Sequence, residues 1–227
     1  MKRLFVIYLI FLAGLSFGQN KILIYDPFVG LPMRQTSIKE IDSLKQLPTR
    51  IPFIVSNLLK TSMTDFVNNI VFIKGQIVDV EGWAAKDSTF QMEYKFAIPK
   101  YELFFELRDT SIGIKSYCFE IGLDQYGQIM RFEWPREDYN KRDSLIKPTK
   151  LKKTAMDYAT KKKYKTQTCE YSLHFDEDRQ RMLWYFSFLQ KSTGDKFTYT
   201  KEYFSIVVDP LYNYVVEELG MTSVGGP

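Results

Sequence analysis

Tyr101-Glu102-Leu103-Phe104-Phe105-Glu106-Leu107 sets apolar side chains at 101, 103, 105 and 107. That period of two belongs to a β-strand with one face on a core. The same alternation recurs on both sides of it. Phe90, Met92, Tyr94, Phe96 and Ile98 precede it, ahead of Pro99. Tyr117, Phe119, Ile121 and Leu123 follow, then Met130, Phe132 and Trp134. Asp124-Gln125-Tyr126-Gly127 is a tight-turn sequence, with Gly127 suited to positive φ. Runs of this kind joined by turns predict an antiparallel meander with one solvated face, beginning near Ile70.

Upstream the period changes to that of a helix. Ser37-Ile38-Lys39-Glu40 reads as a capping box, followed by Ile38, Ile41, Leu44 and Leu47 and stopped by Pro48. Pro52 then suits the first turn of a second helix, in which Ile51, Ile54, Val55, Leu58 and Leu59 form a stripe. These two segments predict a helical hairpin or lid. Downstream, residues 135–148 are polar and carry Pro135 and Pro148, the mark of a boundary. A further helix is expected beyond it, with Leu151, Ala155, Tyr158 and Ala159 on one face. Strands are expected near 168–175, 182–190, 196–208 and 212–219.

An echo at a constant offset of 52 links two hairpins. Phe119, Ile121, Leu123 and Asp124 match Tyr171, Leu173, Phe175 and Asp176; Gln128, Met130, Phe132 and Trp134 match Gln180, Met182, Trp184 and Phe186. Any two amphipathic hairpins with similar loops share such a pattern; the alternative is a partial internal duplication. The expected fold class is α+β, with antiparallel meander sheets packed against a few helices. The expected organisation is a signal peptide over 1–18, N-terminal helices and sheet over 19–146, a helix and sheet over 147–220, and a flexible tail over 221–227.

The start of the chain bears on compartment. Lys2 and Arg3 precede an apolar run of residues 4–15, and Ser16-Phe17-Gly18 supplies small residues at a cleavage site. This is the pattern of a secretory signal cut after Gly18, too short to span a bilayer, so a periplasmic or secreted protein is expected. The chain has 31 Lys and Arg against 27 Asp and Glu. Loss of Lys2 and Arg3 leaves it near neutral, which makes no case for nucleic acid. Residues 141–165, however, hold ten basic and two acidic residues. Lys152, Lys153, Lys161, Lys162 and Lys163 are the candidate partner contacts, set against the plainer reading of a solvated helix face. No second long apolar segment predicts a transmembrane span.

Cys118 and Cys169 are the two cysteines. Outside the cytoplasm they permit one disulfide, and as thiols they serve as small apolar residues. His174, the single histidine, falls opposite the apolar face of its strand and is expected to be exposed; alone it cannot make a multi-histidine metal site. Asp176-Glu177-Asp178 is an acidic turn, read either as solvated or as a Ca²⁺ loop lacking the fuller ligand pattern. Trp83, in a polar stretch after Gly82, is the candidate surface aromatic, while Trp134 and Trp184 fall at core positions. No cofactor motif is present.

A helix, three antiparallel strands and Val207-Val208-Asp209-Pro210-Leu211-Tyr212-Asn213-Tyr214-Val215-Val216 together resemble the PepSY and PepSY-like domains. Asn213 stands near the glycine usual in their closing turn. The resemblance covers about residues 147–219 and implies a small secreted or periplasmic α+β module that binds a protein partner, without catalytic residues. The remainder resembles secreted proteins of Gram-negative bacteria. The function expected is that of a non-catalytic extracytoplasmic binding protein recognising a protein or peptide; the alternative is a secreted hydrolase using carboxylates in a sheet-lined cleft.

Overall fold

The computed structural model describes residues 38–79, 81, 82, 85, 99–135, 138–194 and 199–225. The expected signal peptide, the strand at 90–98 and Trp83 lie outside them. By contacts the chain divides into two units, one holding residues 26–148 and 173–183, the other 149–172 and 184–227.

The first unit carries β1 (Ile38–Ile41), α1 (Arg50–Ser62), β2 (Ile70–Val78), β3 (Tyr101–Asp109), β4 (Ile114–Leu123) and β5 (Ile129–Phe132). The strands form one antiparallel sheet in chain order, as the alternating runs require. Tyr101, Leu103, Phe105 and Leu107 lie opposite Leu123, Ile121, Phe119 and Tyr117, and all eight are buried. Burying side chains of this size is worth about 1.5–3 kcal/mol each. Rings continue across the unit from Phe72 to Phe105, Phe119, Tyr117, Trp134 and Phe66, with successive centroids 5.5–6.1 Å apart. The helix α1 buries Ile51, Val55 and Leu59. Gly127, at φ 82°, closes the β4–β5 turn against Ile54: a Cβ there would sit 2.3 Å from Ile54 Cδ1.

The first expected helix is not formed. Residues 38–41 are a strand on β2, and the capping box occurs six residues later, where Ser43 and Gln46 close the 3₁₀ turn Leu44–Gln46. Isoleucines at 38 and 41 gain more from a place beside β2 than a short helix stopped at Pro48 offers. A helical hairpin is therefore replaced by the single helix α1. The solvated second sheet face is also corrected. Glu102, Phe104 and Glu120 on that face are buried.

Pro135 and residues 138–148 belong to the same unit. Trp134 and Tyr139 are buried, and Arg142 is tied to the α1–β2 turn, through its own N–H to Asp65 Oδ2 at 2.9 Å and through Nη2 to the Asp65 carbonyl at 2.8 Å.

The second sheet is antiparallel in the order β6 (Cys169–Asp176), β7 (Arg181–Gly194), β8 (Tyr199–Val208), β9 (Val215–Gly225). The helix α2 (Pro148–Lys161) buries Leu151, Ala155 and Ala159 at the predicted helical spacing. Its end is a Schellman motif: Tyr164 N–H donates to Ala159 O at 2.9 Å and Lys163 N–H to Thr160 O at 3.0 Å. Lys163, not glycine, takes the left-handed place at φ 64°. The β9 ladder runs on through residues 221–225, a stretch read from sequence as a tail. Among the described residues the fold is mainly β with two helices, α+β at the coarse level.

Candidate functional site

Two clusters of functional side chains are built, one in each unit. In the first, strand alternation brings carboxylates together on the face of β2–β5 opposite the aromatic core. Register places Glu102 opposite Gly122 and Gln76, and Phe104 opposite Glu120, so Glu102 and Glu120 are diagonal neighbours on one face. Gly122 lies opposite Arg131. The Arg131 Nη1 donates to both Glu120 oxygens, at 3.1 and 3.0 Å, and the Gln76 amide donates to the Glu102 carboxylate. Glu133 Oε2 accepts from the Glu120 N–H at 2.9 Å. Burial pushes the Glu120 carboxyl above its ordinary range; Arg131 opposes this, while the charges of Glu102 and Glu133 add to it. Two neighbouring carboxyls, one with a raised pKa, are the raw material of acid–base chemistry. Here both Glu120 oxygens are held by one nitrogen of Arg131 in an ion pair, and that arrangement serves structure.

The second cluster is on α2 and the β8–β9 turn. Asp209, fully buried, accepts from the N–H of Leu211 at 2.8 Å and of Tyr212 at 3.2 Å, and so fixes the turn. Asn213 takes φ 55°, a left-handed conformation asparagine tolerates. Its Oδ1 accepts from Thr154 Oγ1 at 2.7 Å, which joins the turn to α2. Tyr212 and Tyr214, 59% and 45% exposed, flank it with rings stacked 6.4 Å apart. Lys150 lies one helical turn before Thr154 on the same side of α2, and Lys153 beside it. Sequence reading passed over this tyrosine pair. Its signal was an aromatic on each side of an asparagine just after Asp209-Pro210.

Of the predicted lysines, Lys153, Lys161, Lys162 and Lys163 are exposed and Lys152 is half-buried. Lys162 is paired to Glu218 at 3.4 Å and lies over the Tyr158 ring. Glu218 also accepts from the Tyr164 hydroxyl. For Lys150, Lys153, Lys161 and Lys163 no ion pair forms among the described residues.

Cys118 and Cys169 are both half-buried free thiols, where the sequence left a bridge open. Burial pushes each above the usual thiol range; the Lys152 charge partly offsets this at Cys169. Both are poor nucleophiles at neutral pH. His174 is half-buried rather than exposed, and burial pushes it below its ordinary value, so it is neutral. In the acidic turn, Asp176 is engaged by Arg179, through the backbone N–H at 2.8 Å and the guanidinium. Among the described residues no group of acidic, histidine or cysteine side chains is arranged to hold a metal ion. Among them, too, no helix is long and apolar enough to cross a membrane.

Comparison of the chain with protein-family models, with curated proteins and with solved structures finds no match.

Proposed function

We propose that this chain is a non-catalytic extracytoplasmic binding protein that recognises a protein or peptide partner of acidic character through α2 and the β8–β9 turn. The observation that carries this reading is the Thr154–Asn213 hydrogen bond, which fixes an exposed tyrosine pair beside lysines that have no carboxylate partner among the described residues. Exposed stacked tyrosines provide contact area at small entropic cost, and lysines beside them attract carboxylates. The apolar run before Gly18 supports the compartment. A PepSY-like C-terminal module is supported by one helix followed by an antiparallel sheet, by the Asp209 turn and by the left-handed Asn213. A partial internal duplication draws support from Asp124 and Asp176, each of which accepts backbone N–H groups of its own turn.

The test is capture from periplasmic extract by the purified protein, repeated with Lys150→Glu/Lys153→Glu and with Tyr212→Ala/Tyr214→Ala. A partner retained by the parent at low salt and lost from both variants is expected. Equal retention by all three, or nothing above background, sinks the reading. The hydrolase alternative draws on the raised Glu120 carboxyl beside Glu102; hydrolysis of a glycan or ester panel, abolished by Glu120→Gln, is what it requires.

A further inference from the structure

Among the described residues β9 is the outermost strand of its sheet, with β8 along its inner side from Tyr199 opposite Gly225 to Val208 opposite Val215. A strand in that place turns a row of backbone N–H and C=O groups away from its neighbour. Edges of this kind are usually blunted by lysine, proline or a bulge. Over residues 215–225 there is no lysine, arginine or proline. The ladder is irregular once, near Val216, where Val207 pairs with Glu217 but Val208 with Val215. From residue 217 to residue 225 it is regular, and the middle of that stretch is Met221.

Charge along this edge is lopsided. Glu217 and Glu218 occupy one half, and Thr222, Ser223, Val224 and Gly225 leave the other half uncharged. Val224 is 72% exposed. A parallel in-register neighbour would set each glutamate against its own copy, a repulsive arrangement. An antiparallel neighbour related by a twofold axis at Met221 does the reverse. It sets Glu217 opposite Gly225, Glu218 opposite Val224, Leu219 opposite Ser223 and Gly220 opposite Thr222, with no like charges facing. The lopsidedness that forbids stacking thus becomes self-complementary about a twofold.

We propose that β9 is a self-association edge: two copies of this chain pair antiparallel through residues 217–225, centred on Met221, and join two four-stranded sheets into one of eight. This surface goes beyond the partner site on α2. One strand pair is at the small end of specific interfaces, so the dimer is reversible and concentration-dependent.

Val224 gives a clean test, because its neighbour on β8 is the uncharged Thr200 and its side chain is exposed. Val224→Glu sets a carboxylate opposite Glu218 of the other copy, and Val224→Lys sets an ammonium there; each change acts twice by symmetry. Sedimentation equilibrium of the purified protein and both variants, at low and high salt, is the measurement. Because Lys162 and the Tyr164 hydroxyl already share the Glu218 carboxylate, dimerisation is expected to be weakened only about twofold to fivefold by Val224→Glu and strengthened by no more than that by Val224→Lys, with the difference shrinking in high salt. Met221→Cys, made with Cys118→Ser and Cys169→Ser, is expected to form a covalent dimer on mild oxidation, since directly opposed Cα atoms lie about 4.5–5.5 Å apart, within disulfide reach. Circular dichroism shared by parent and variants confirms that the fold is intact. A protein that stays monomeric at every concentration, or a dimer equally strong in both Val224 variants, overturns the proposal. So does a monomer that takes up an extended peptide on β9.

Discussion

The Arg142 Nε donates to Asp109 Oδ2 at 2.6 Å and anchors the segment after β5 to the end of β3. Asp109 is 3% exposed. Its other oxygen accepts from the Ser111 N–H at 3.1 Å and hydroxyl at 2.5 Å. Burial pushes this carboxyl up, but the Ser111 and Arg142 hydrogen bonds and the Arg142 charge outweigh it and hold the pKa below the ordinary 3.8.

Arg142→Ala is expected to cost about 2–3 kcal/mol at neutral pH, because it strands a buried carboxylate. The folded pKa of Asp109 is lowered, so its contribution is present above the unfolded value and disappears as pH falls through the folded one. Urea unfolding at pH 7 and near pH 3 should therefore show a smaller acid-induced loss in the variant than in the parent. An equal loss in both counts against the pairing.

Glu120 has the opposite sign. Its folded pKa is raised above 4.5, so the folded chain keeps a proton that the unfolded chain has already released. Stability contributed by this group is greatest below the unfolded pKa and declines as pH rises through the folded one. Glu120→Gln should remove that decline. Arg131→Met should deepen it and lower stability at pH 7 by about 2 kcal/mol, with partial recovery in mild acid. Denaturation midpoints from pH 4 to pH 8 separate the two variants.

The strand pattern and the core were readable in the sequence because each depends on neighbours two or four residues apart. Tyr101 to Leu107 and Leu151 to Ala159 needed nothing else. What was not readable depends on distant partners. Ile38 and Ile41, three residues apart, share a face only in a helix, and it is pairing with β2 that makes them a strand with the two side chains on opposite faces. Glu102 and Glu120 look solvated in their own strands, yet Gln76 and Arg131 let them be buried. Of the tyrosine–lysine surface, the lysines stood out as a charge run, whereas the Thr154–Asn213 bond spans 59 positions and leaves no local mark.

Lys163→Gly is expected to stabilise the chain by about 0.5–1 kcal/mol, since glycine takes the left-handed C′ position without strain and Lys163 has no ion pair to lose among the described residues. Lys163→Val should destabilise. Thermal unfolding of the pair checks the sign, and a glycine variant less stable than the parent refutes it.

Ser187 and Ser205 face each other across β7 and β8 with hydroxyls 2.6 Å apart, both buried, and Ser205 also reaches Met221 Sδ at 3.5 Å. Each single alanine variant should lose about 1 kcal/mol by leaving the other hydroxyl short of its partner. The double variant should cost little more than one of them, a coupling that a double-mutant cycle reads directly. Additive losses would show that the hydroxyls act independently.

Both sheets list their strands in the order the chain makes them. Each ladder can therefore zip onto the hairpin completed just before it, and loop closure is brief at nearly every step. The exceptions are the passage from Ile41 to Ile70, which carries α1, and the passage from Val78 to Tyr101, which must close before β3 finds β2. Shortening the second passage should speed refolding, while lengthening the Asp124–Gln128 turn acts on a step already fast. These two long closures are where the folding rate is expected to be set.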